Sequence, residues 1–276
     1  MSLRDYQWEG YYPGHVDILE EFFIPALKHS TYYDRITGSF SSSVLELLSE
    51  GLPGFIENGG TIRLLPGIVL YEDDIEAIDQ GHSGEVLSER IEWEKVKDGT
   101  REEVIGALAW LIAEDILQIK VGVVTDELGR LQTQQEAEWH QKVAIFRDDD
   151  DNAIGITGSP NESFKALRQN RESFSLFRNW VISEENEWDE KTRLNKQMKE
   201  FEQLWNDEDP ESAVFDFPEA LHKDIIEKAP EAEPDWENII TGGSSRVSGR
   251  EDIELRPYQE EAIERFLDSG NPVSYT

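Results

Sequence analysis

The stretch that decides the fold spans residues 139–180 and reads WHQKVAIFRDDDDNAIGITGSPNESFKALRQNRESFSLFRNW. An apolar run at 143–146 has the length of a strand, and the acidic run 148–152 that follows indicates a turn. Apolar residues return at 154–157, and a third strand is predicted at 173–180 after a short helix. We therefore expect a β-hairpin followed by a third strand.

Polar side chains gather at the open end of this hairpin. His140 and Lys142 lie two positions apart, so they share one face of a strand. Ser159 and Asn161 directly follow the second strand, which brings them beside the first pair. The ammonium, hydroxyl and amide groups suit an anionic tetrahedral group, and the imidazole is a nucleophile that can attack it. Glu172 is expected to hold the imidazole ring by accepting a hydrogen bond from its other nitrogen.

At these residues the sequence resembles the phospholipase D superfamily, whose signature is His-x-Lys, then an Asp, then Gly-Ser-x-Asn. The matching residues are His140, Lys142, Gly158, Ser159 and Asn161. Glu172 falls where nucleases of the superfamily place a buried Glu that orients the histidine. The resemblance implies a phosphohistidine mechanism that needs no metal. It also implies a homodimer, because family members with one motif pair two such histidines, here two copies of His140, across a shared cleft.

The match has one departure. The family's Asp normally lies five residues after the Lys, and here Arg147 occupies that position. Asp148 or a later Asp of the turn is the candidate substitute. In the family this Asp is mainly structural, so the departure affects the expected hairpin geometry more than the chemistry.

A second resemblance lies at residues 254–263, ELRPYQEEAI. It is similar to the opening motif of DEAD/DEAH-type superfamily-two helicases, in which the Gln contacts adenine; the matching residue is Gln259. The chain reaches Thr276 without a Gly-Lys-Thr phosphate loop. ATP and magnesium are therefore expected only for the missing motor domain. The alternative is an ordinary amphipathic helix that follows a Pro.

The rest of the chain predicts an α/β fold, with a mixed, largely parallel sheet and helices on both faces. A β-α-β unit is predicted from a strand at 32–40, a helix at 44–58 and a strand at 61–65, which implies a parallel pair. Arg35, on the first of these strands, is expected either near the sheet edge where ligands dock or as a salt-bridged strand residue. An N-terminal arm is expected to pack through Tyr6, Trp8 and Tyr11.

The predicted domain organisation has four parts. Residues 1–185 form the phospholipase D-like domain, and residues 186–228 form a C-terminal helical appendage. Residues 229–251 are a linker rich in Pro, Glu, Gly and Ser. Residues 252–276 are the truncated start of a helicase motor domain.

Composition limits the compartment and the partners. The chain has 276 residues and no cysteine, which excludes disulfides and thiolate metal sites and is consistent with a cytoplasmic protein. No apolar run approaches the roughly 20 residues of a membrane span, and no secretory signal is present, so no membrane partner is expected. The formal charge of −33 opposes DNA binding at low salt. We favour adaptation to high intracellular salt, which screens the repulsion, over a domain that binds no nucleic acid.

The sequence thus favours a metal-independent nuclease that acts on DNA as the N-terminal arm of a helicase, in restriction, phage defence or repair. The alternative is a catalytically weak module that binds nucleic acid or dimerises and so positions the motor. Lipid hydrolysis is disfavoured because the sequence shows no segment typical of membrane binding. The aspartates 148–151 are expected to be solvated and not to hold a metal.

Overall fold

A sheet of eight strands lies at the centre of the computed structural model, which describes residues 2–38, 50–90, 102–158, 173–183 and 189–239. The strands are β1 (Tyr11–Tyr12), β2 (Tyr32–Thr37), β3 (Thr61–Pro66), β4 (Leu117–Val124), β5 (Val143–Arg147), β6 (Ala153–Gly158), β7 (Phe174–Arg178) and β8 (Ser212–Asp216). Their order across the sheet is β1-β7-β6-β5-β2-β3-β4-β8.

Helices connect these strands. A 3-10 turn at Leu3–Asp5 and a π-helix at Leu19–Phe23 come first, followed by α1 (Ile24–Lys28), α2 (Leu52–Glu57), α3 (Glu72–Asp79), α4 (Ser83–Arg90), α5 (Glu102–Ala113), α6 (Glu190–Trp205) and α7 (Glu219–Ile226). In the described part of the chain, no helix is long and apolar enough to cross a membrane.

The strand pairing has a parallel centre with antiparallel flanks. β2 pairs with β3 and β3 pairs with β4, both in parallel. β5 runs antiparallel to β2, and β6 and β7 extend the sheet as an antiparallel meander. The predicted α/β class, with a mixed sheet and a parallel core, is confirmed. The antiparallel part comes from the hairpin of residues 143–158, the strand that follows it and the two edge strands β1 and β8. Antiparallel pairings outnumber parallel ones, so the sheet is less parallel than the largely parallel one expected.

The two faces of the sheet are covered by different helices. On one face the π-helix, α1, α2, α5 and α7 contribute to a large apolar core. On the other face α6 packs its apolar side, including Leu194, Phe201 and Trp205, against Ile36, Leu65, Val143 and Ile145. We call this second surface the α6 face of the sheet. Side chains of a strand alternate between the two faces of the sheet. A strand residue that contacts α6 therefore shows on which face its neighbours along the strand lie.

The N-terminal arm packs as expected, with one exchange of residues. Trp8 is buried and its indole Nε1 donates to the Leu3 carbonyl at 2.7 Å. Tyr12 stacks on Phe174 with ring centroids 4.9 Å apart, whereas Tyr11 is 56% exposed. The expectation that Tyr11 packs is wrong, because β1 turns alternate side chains in opposite directions. Burial raises the pKa of Tyr12 to about 12.

The segment predicted as a helical appendage belongs to the same compact unit as the sheet, Met1–Thr241. Asp189 caps α6 by accepting from the Thr192 amide at 2.8 Å, and the helix then covers one face of the sheet. β8 pairs antiparallel with β4. The described residues of 186–228 are therefore part of the same domain as the sheet and do not form a separate appendage. The predicted motor segment 252–276, with Gln259, lies outside the described residues.

Candidate functional site

The predicted hairpin is present. Val143 is opposite Thr157 and Arg147 is opposite Ala153, so β5 and β6 pair along their whole length. On its other side β5 pairs with β2, where Val143 is opposite Ile36. The start of β5 therefore lies at the carboxyl end of β2, which is the edge where open α/β sheets bind ligands.

His140 and Lys142 lie just before β5 at this edge. Trp139 packs with the core of the α6 face, and the Gln141 side chain donates to Glu200 of α6 at 2.8 Å. By alternation, His140 and Lys142 belong to the opposite face of the sheet. His140 is exposed, whereas Lys142 is only 9% exposed. The arrangement presents an accessible imidazole beside a largely desolvated ammonium group.

A hydrogen bond ties this pair together. The Lys142 Nζ donates to the His140 carbonyl at 2.8 Å. The side chain of Lys142 therefore folds back along the chain toward the histidine. A cation held in this position, with little solvent around it, interacts more strongly with a neighbouring anion than it would in water.

The pairing register brings Lys142 to the start of the Gly-Ser-x-Asn run. Val143 is opposite Thr157, so Lys142 and Gly158 are the next residues along the chain at this end of the hairpin. A Cβ at Gly158 would lie 2.5 Å from Cβ of Phe174 and 2.7 Å from its Cα, and closer still to the Ser173 carbonyl. The glycine is required because β7 passes so close to β6. Its structural role explains why the chain carries Gly at this position of the motif.

Four of the predicted site residues lie outside the described residues: Ser159, Asn161, Glu172 and Gln259. The convergence of Ser159, Asn161 and Glu172 on His140 and Lys142 stays a prediction.

Arg147, the departure from the family pattern, lies at the far end of β5 from His140. Its Nη2 donates to the Asp34 carboxylate of β2 at 2.9 Å. Asp34 also accepts from Arg63 at 2.7 Å, and Arg63 reaches Glu202 of α6 at 2.6 Å. Burial lowers the pKa of Arg63, but its hydrogen bonds to Asp34 and Glu202 outweigh this and raise the pKa overall. Arg147 thus belongs to a charge cluster that ties β5, β2, β3 and α6 together.

Asp148, the candidate substitute for the family's Asp, organises the hairpin turn and the N-terminus. Its carboxylate accepts from the Ser2 hydroxyl at 2.7 Å, the Leu3 amide at 2.8 Å and the Asn152 amide at 2.9 Å. Burial raises the pKa of this carboxyl group, but the hydrogen bonds outweigh burial and hold the pKa below its ordinary value. These contacts give Asp148 a structural role, at the opposite end of the hairpin from His140.

Sequence reasoning missed the residue just before the histidine. The Trp139 indole lies against Gly67 and Gly122: a Cβ on Gly122 would lie 2.8 Å from two carbons of its benzo ring. Glycines inside strand patterns at 61–67 and 117–124 were the available signal, since a strand glycine often marks a close approach. Arg35 is fully buried, with its guanidinium 6.0 Å from the Phe23 ring centroid, so it lies deeper than the expected edge position.

Within the ranges that the structure describes, no group of three or more His, Asp and Glu side chains is arranged to hold a metal ion.

Comparisons with known proteins add weak structural likenesses. No protein-family profile matches the chain, and no curated protein matches it. Among solved structures the chain is similar to NucT from Helicobacter pylori, at 12% identity over 75% of this chain and 97% of that one, with a TM-score of 0.42. It is also similar to phosphatidylserine synthase of Haemophilus influenzae Rd KW20, at 12% identity over 86% of this chain and 44% of that one, with a TM-score of 0.40. Likenesses of this size assign neither an activity nor a substrate to the chain.

Proposed function

We propose that this protein hydrolyses phosphodiester bonds in DNA through a covalent phosphohistidine at His140, without a metal cofactor. The observation that supports this most is the position of the His-x-Lys pair. An exposed His140 lies beside a desolvated Lys142 at the ligand-binding edge of the sheet, at the end of the hairpin where Gly158 lies. The resemblance to the phospholipase D superfamily gives this pair its chemistry.

The proposed reaction has two displacements. In the first, one imidazole nitrogen of His140 attacks phosphorus, the nitrogen–phosphorus bond forms and the bond to the leaving oxygen breaks. The second copy of His140 in a homodimer donates a proton to that oxygen. In the second displacement, water attacks phosphorus and gives its proton to the second copy of His140. The nitrogen–phosphorus bond breaks, which restores both histidines and releases the phosphate monoester. Two steps replace one difficult step, as covalent catalysis requires.

Lys142 and Asn161 would hold the negative charge on the non-bridging phosphoryl oxygens, and Glu172 would fix the attacking tautomer of the ring. A preorganised donor in a water-poor site is typically worth about 10²-fold or more in rate. The wider context follows from the C-terminal resemblance: the nuclease is proposed to be the arm of a helicase, acting in defence against foreign DNA or in repair.

The deciding experiment measures cleavage of plasmid, single-stranded DNA and a chromogenic phosphodiester, each in EDTA and in magnesium. We expect cleavage in EDTA by the wild type, complete loss in His140→Ala and unchanged cleavage in His222→Ala, whose histidine lies on α7. An intermediate trapped by alkaline quench should carry its phosphoryl group on the His140 peptide. Cleavage that requires magnesium and survives His140→Ala would show that the mechanism is wrong for this protein.

A second candidate is a catalytically weak module that binds nucleic acid or dimerises and so positions the motor. Arg147 at the position where the phospholipase D signature has an Asp favours weak catalysis. The charge of −33 favours dimer formation over DNA binding at low salt. The same assay separates the two candidates. The binding module is identified if the wild type binds DNA or dimerises but cleaves nothing in any buffer. Its His140→Ala variant should then behave like the wild type.

A further inference from the structure

The residue next to the histidine occupies an unusually tight site. Cβ and the near ring atoms of Trp139 lie against Gly67, just after β3, where an added Cβ would come 2.5 Å from Cδ1 and closer still to Cβ and Cγ. The far ring atoms lie against Gly122 of β4, where an added Cβ would come 2.8 Å from Cη2 and Cζ3 and 3.1 Å from Cε3. Both distances are below those of real side-chain contacts, so only glycine fits at either position.

The two glycines are themselves bridged across the sheet. Gly67 and Gly122 form a parallel β-bridge beyond the regular pairing of β3 and β4, and the Gly67 amide donates to Thr37 of β2 at 2.9 Å. The indole thus spans Gly67 and Gly122 at the carboxyl ends of the parallel strands. The Trp139 Nε1 is buried and has no hydrogen-bond partner among the described residues. The ring is therefore held by shape, because no polar contact of its nitrogen directs it.

The indole therefore fixes the peptide next to the proposed nucleophile. Trp139 precedes His140 directly, and the Lys142 ammonium holds the His140 carbonyl at 2.8 Å. One anchor lies on each face of the sheet, with His140 between them. An exposed side chain in the extended segment before β5 would otherwise have wide conformational freedom.

We propose that Trp139 is the positioning residue of this site: its indole, wedged against Gly67 and Gly122, fixes the backbone that carries His140. The inference rests on the proposed function for its effect on turnover, since it assigns Trp139 a part in delivering His140 to phosphorus. Trp139 touches no reacting atom. Displacement of a catalytic group by about 1 Å can cost on the order of 100-fold in rate, which is the scale to expect when the wedge is displaced.

The geometry predicts a rescue pattern that only the wedge explains. Gly122→Ala collides with benzo-ring atoms that phenylalanine lacks, so Trp139→Phe should relieve it. Gly67→Ala collides with Cβ, Cγ and Cδ1, which phenylalanine keeps, so Trp139→Phe should not relieve it. Gly84→Ala is the matched control, because a Cβ there meets nothing within 4 Å.

The test uses kcat and KM on a chromogenic phosphodiester, thermal unfolding, and the NMR signal of the His140 ring, assigned from its absence in His140→Ala. We expect Gly122→Ala to lower kcat by tenfold or more, with little change in KM, and to shift the His140 signal. The double variant Gly122→Ala/Trp139→Phe should return to the level of Trp139→Phe, and Gly84→Ala should match the wild type.

Three outcomes would overturn the inference. One is a Gly122→Ala protein that unfolds at a lower temperature but keeps the wild-type His140 signal and kcat, which would make Trp139 an ordinary core residue. The second is equal rescue of both glycine variants by Trp139→Phe. The third outcome applies if Gly122→Ala does not fold. In that case the inference is overturned when the His140 signal of the double variant Gly122→Ala/Trp139→Phe differs from that of Trp139→Phe. An inactive wild-type protein would refute the proposed function but not the role of Trp139. The NMR signal of the His140 ring would still report whether Trp139 positions His140.

Discussion

Arg147 donates from Nη2 to the Asp34 carboxylate at 2.9 Å, across two strands whose residues lie 113 positions apart in the chain. Arg147 occupies the place of the family's Asp, and the acidic partner is supplied by the neighbouring strand. Arg63 approaches the same carboxylate at 2.7 Å, so one buried acid serves two arginines. The side chain of Asp34 is only 4% exposed, and removing it would leave two cations in poor solvent contact.

Asp34→Asn should therefore destabilise the fold strongly. Loss of one partner from a buried ion pair costs on the order of 3 kcal/mol, because the remaining charge is left uncompensated. The free energy of unfolding from denaturant titration measures it. Asp216→Asn is the matched control: Asp216 is 90% exposed and lies 3.5 Å from Lys120, so its loss should leave the denaturation midpoint unchanged. Equal stability of the two variants would show that the Asp34 cluster is not a structural anchor.

Arg147→Asp, which introduces the residue that the phospholipase D signature has at this position, should be harmful in this chain. It removes one arginine from Asp34 and places a second carboxylate beside it. Like charges in a poorly solvated site repel, so we expect lower stability than in Arg147→Gln, which removes the positive charge without adding a negative one. Thermal unfolding of the two variants gives the comparison. A more stable Arg147→Asp protein would mean that the family's arrangement is still compatible with this hairpin.

The contribution of Asp148 should depend on pH. Hydrogen bonds lower its folded pKa below the ordinary value of about 3.9, so the carboxylate stabilises the fold fully above that pH. That stabilisation is lost as the pH falls through the lower, folded pKa. The stability gap between wild type and Asp148→Asn should therefore be wide at pH 7 and shrink below about pH 4.

The measurement is a series of denaturant titrations between neutral and strongly acidic pH. Asp150→Asn is the control, since Asp150 is exposed in the same turn. A gap between wild type and Asp148→Asn that stays constant over the whole range would contradict the proposed role of the ionised carboxylate.

Gly158→Ala should disturb both the sheet and the site. The added methyl group would collide with the backbone of β7 at Ser173 and Phe174, and overpacking of this kind costs roughly 1–3 kcal/mol. Because Ser159 follows directly, we also expect turnover to fall more than stability alone explains. Activity measured at a temperature where the variant remains folded separates the two effects, with Gly84→Ala as the reference. Wild-type turnover in a folded Gly158→Ala protein would show that Gly158 has no role in the site.

DNA binding should survive, or strengthen, as potassium chloride rises toward molar concentration. A basic protein loses affinity with salt through counterion release. A chain with a charge of −33 repels the phosphate backbone, and salt screens that repulsion. Fluorescence anisotropy with a labelled oligonucleotide measures the dissociation constant at each salt concentration. A steep loss of affinity with salt would refute adaptation to high salt.

The sequence predicted the sheet well where local signals agree with burial. The hairpin at 143–158 has apolar strands on both sides of a turn that only polar residues can occupy, so strands and turn were found together. The β2–β3 pair followed from the β-α-β pattern.

The motif is visible in the sequence, whereas the contacts that support its residues are not, and the convergence of the motif on one site stays a prediction. Alternation along one strand is enough to put His140 and Lys142 on one face. The wedge of Trp139 depends on Gly67 and Gly122, which lie on two other strands, and sequence spacing gives no distance between them. The same holds for Asp34 and Arg147, whose pairing depends on the register of β2 against β5. Contacts that depend on the register of distant strands produce no local sequence pattern from which they could be predicted.

The position of β2 in the sheet has a consequence for how the chain folds. β2 pairs with β3, its near neighbour in sequence, and with β5, which is made more than one hundred residues later. During synthesis one edge of β2 therefore waits unpaired until the hairpin has emerged. Pairings between such distant segments close late and slow the search for the native state. We expect β2 to β4 to form an early parallel nucleus, and the hairpin that carries His140 to dock last.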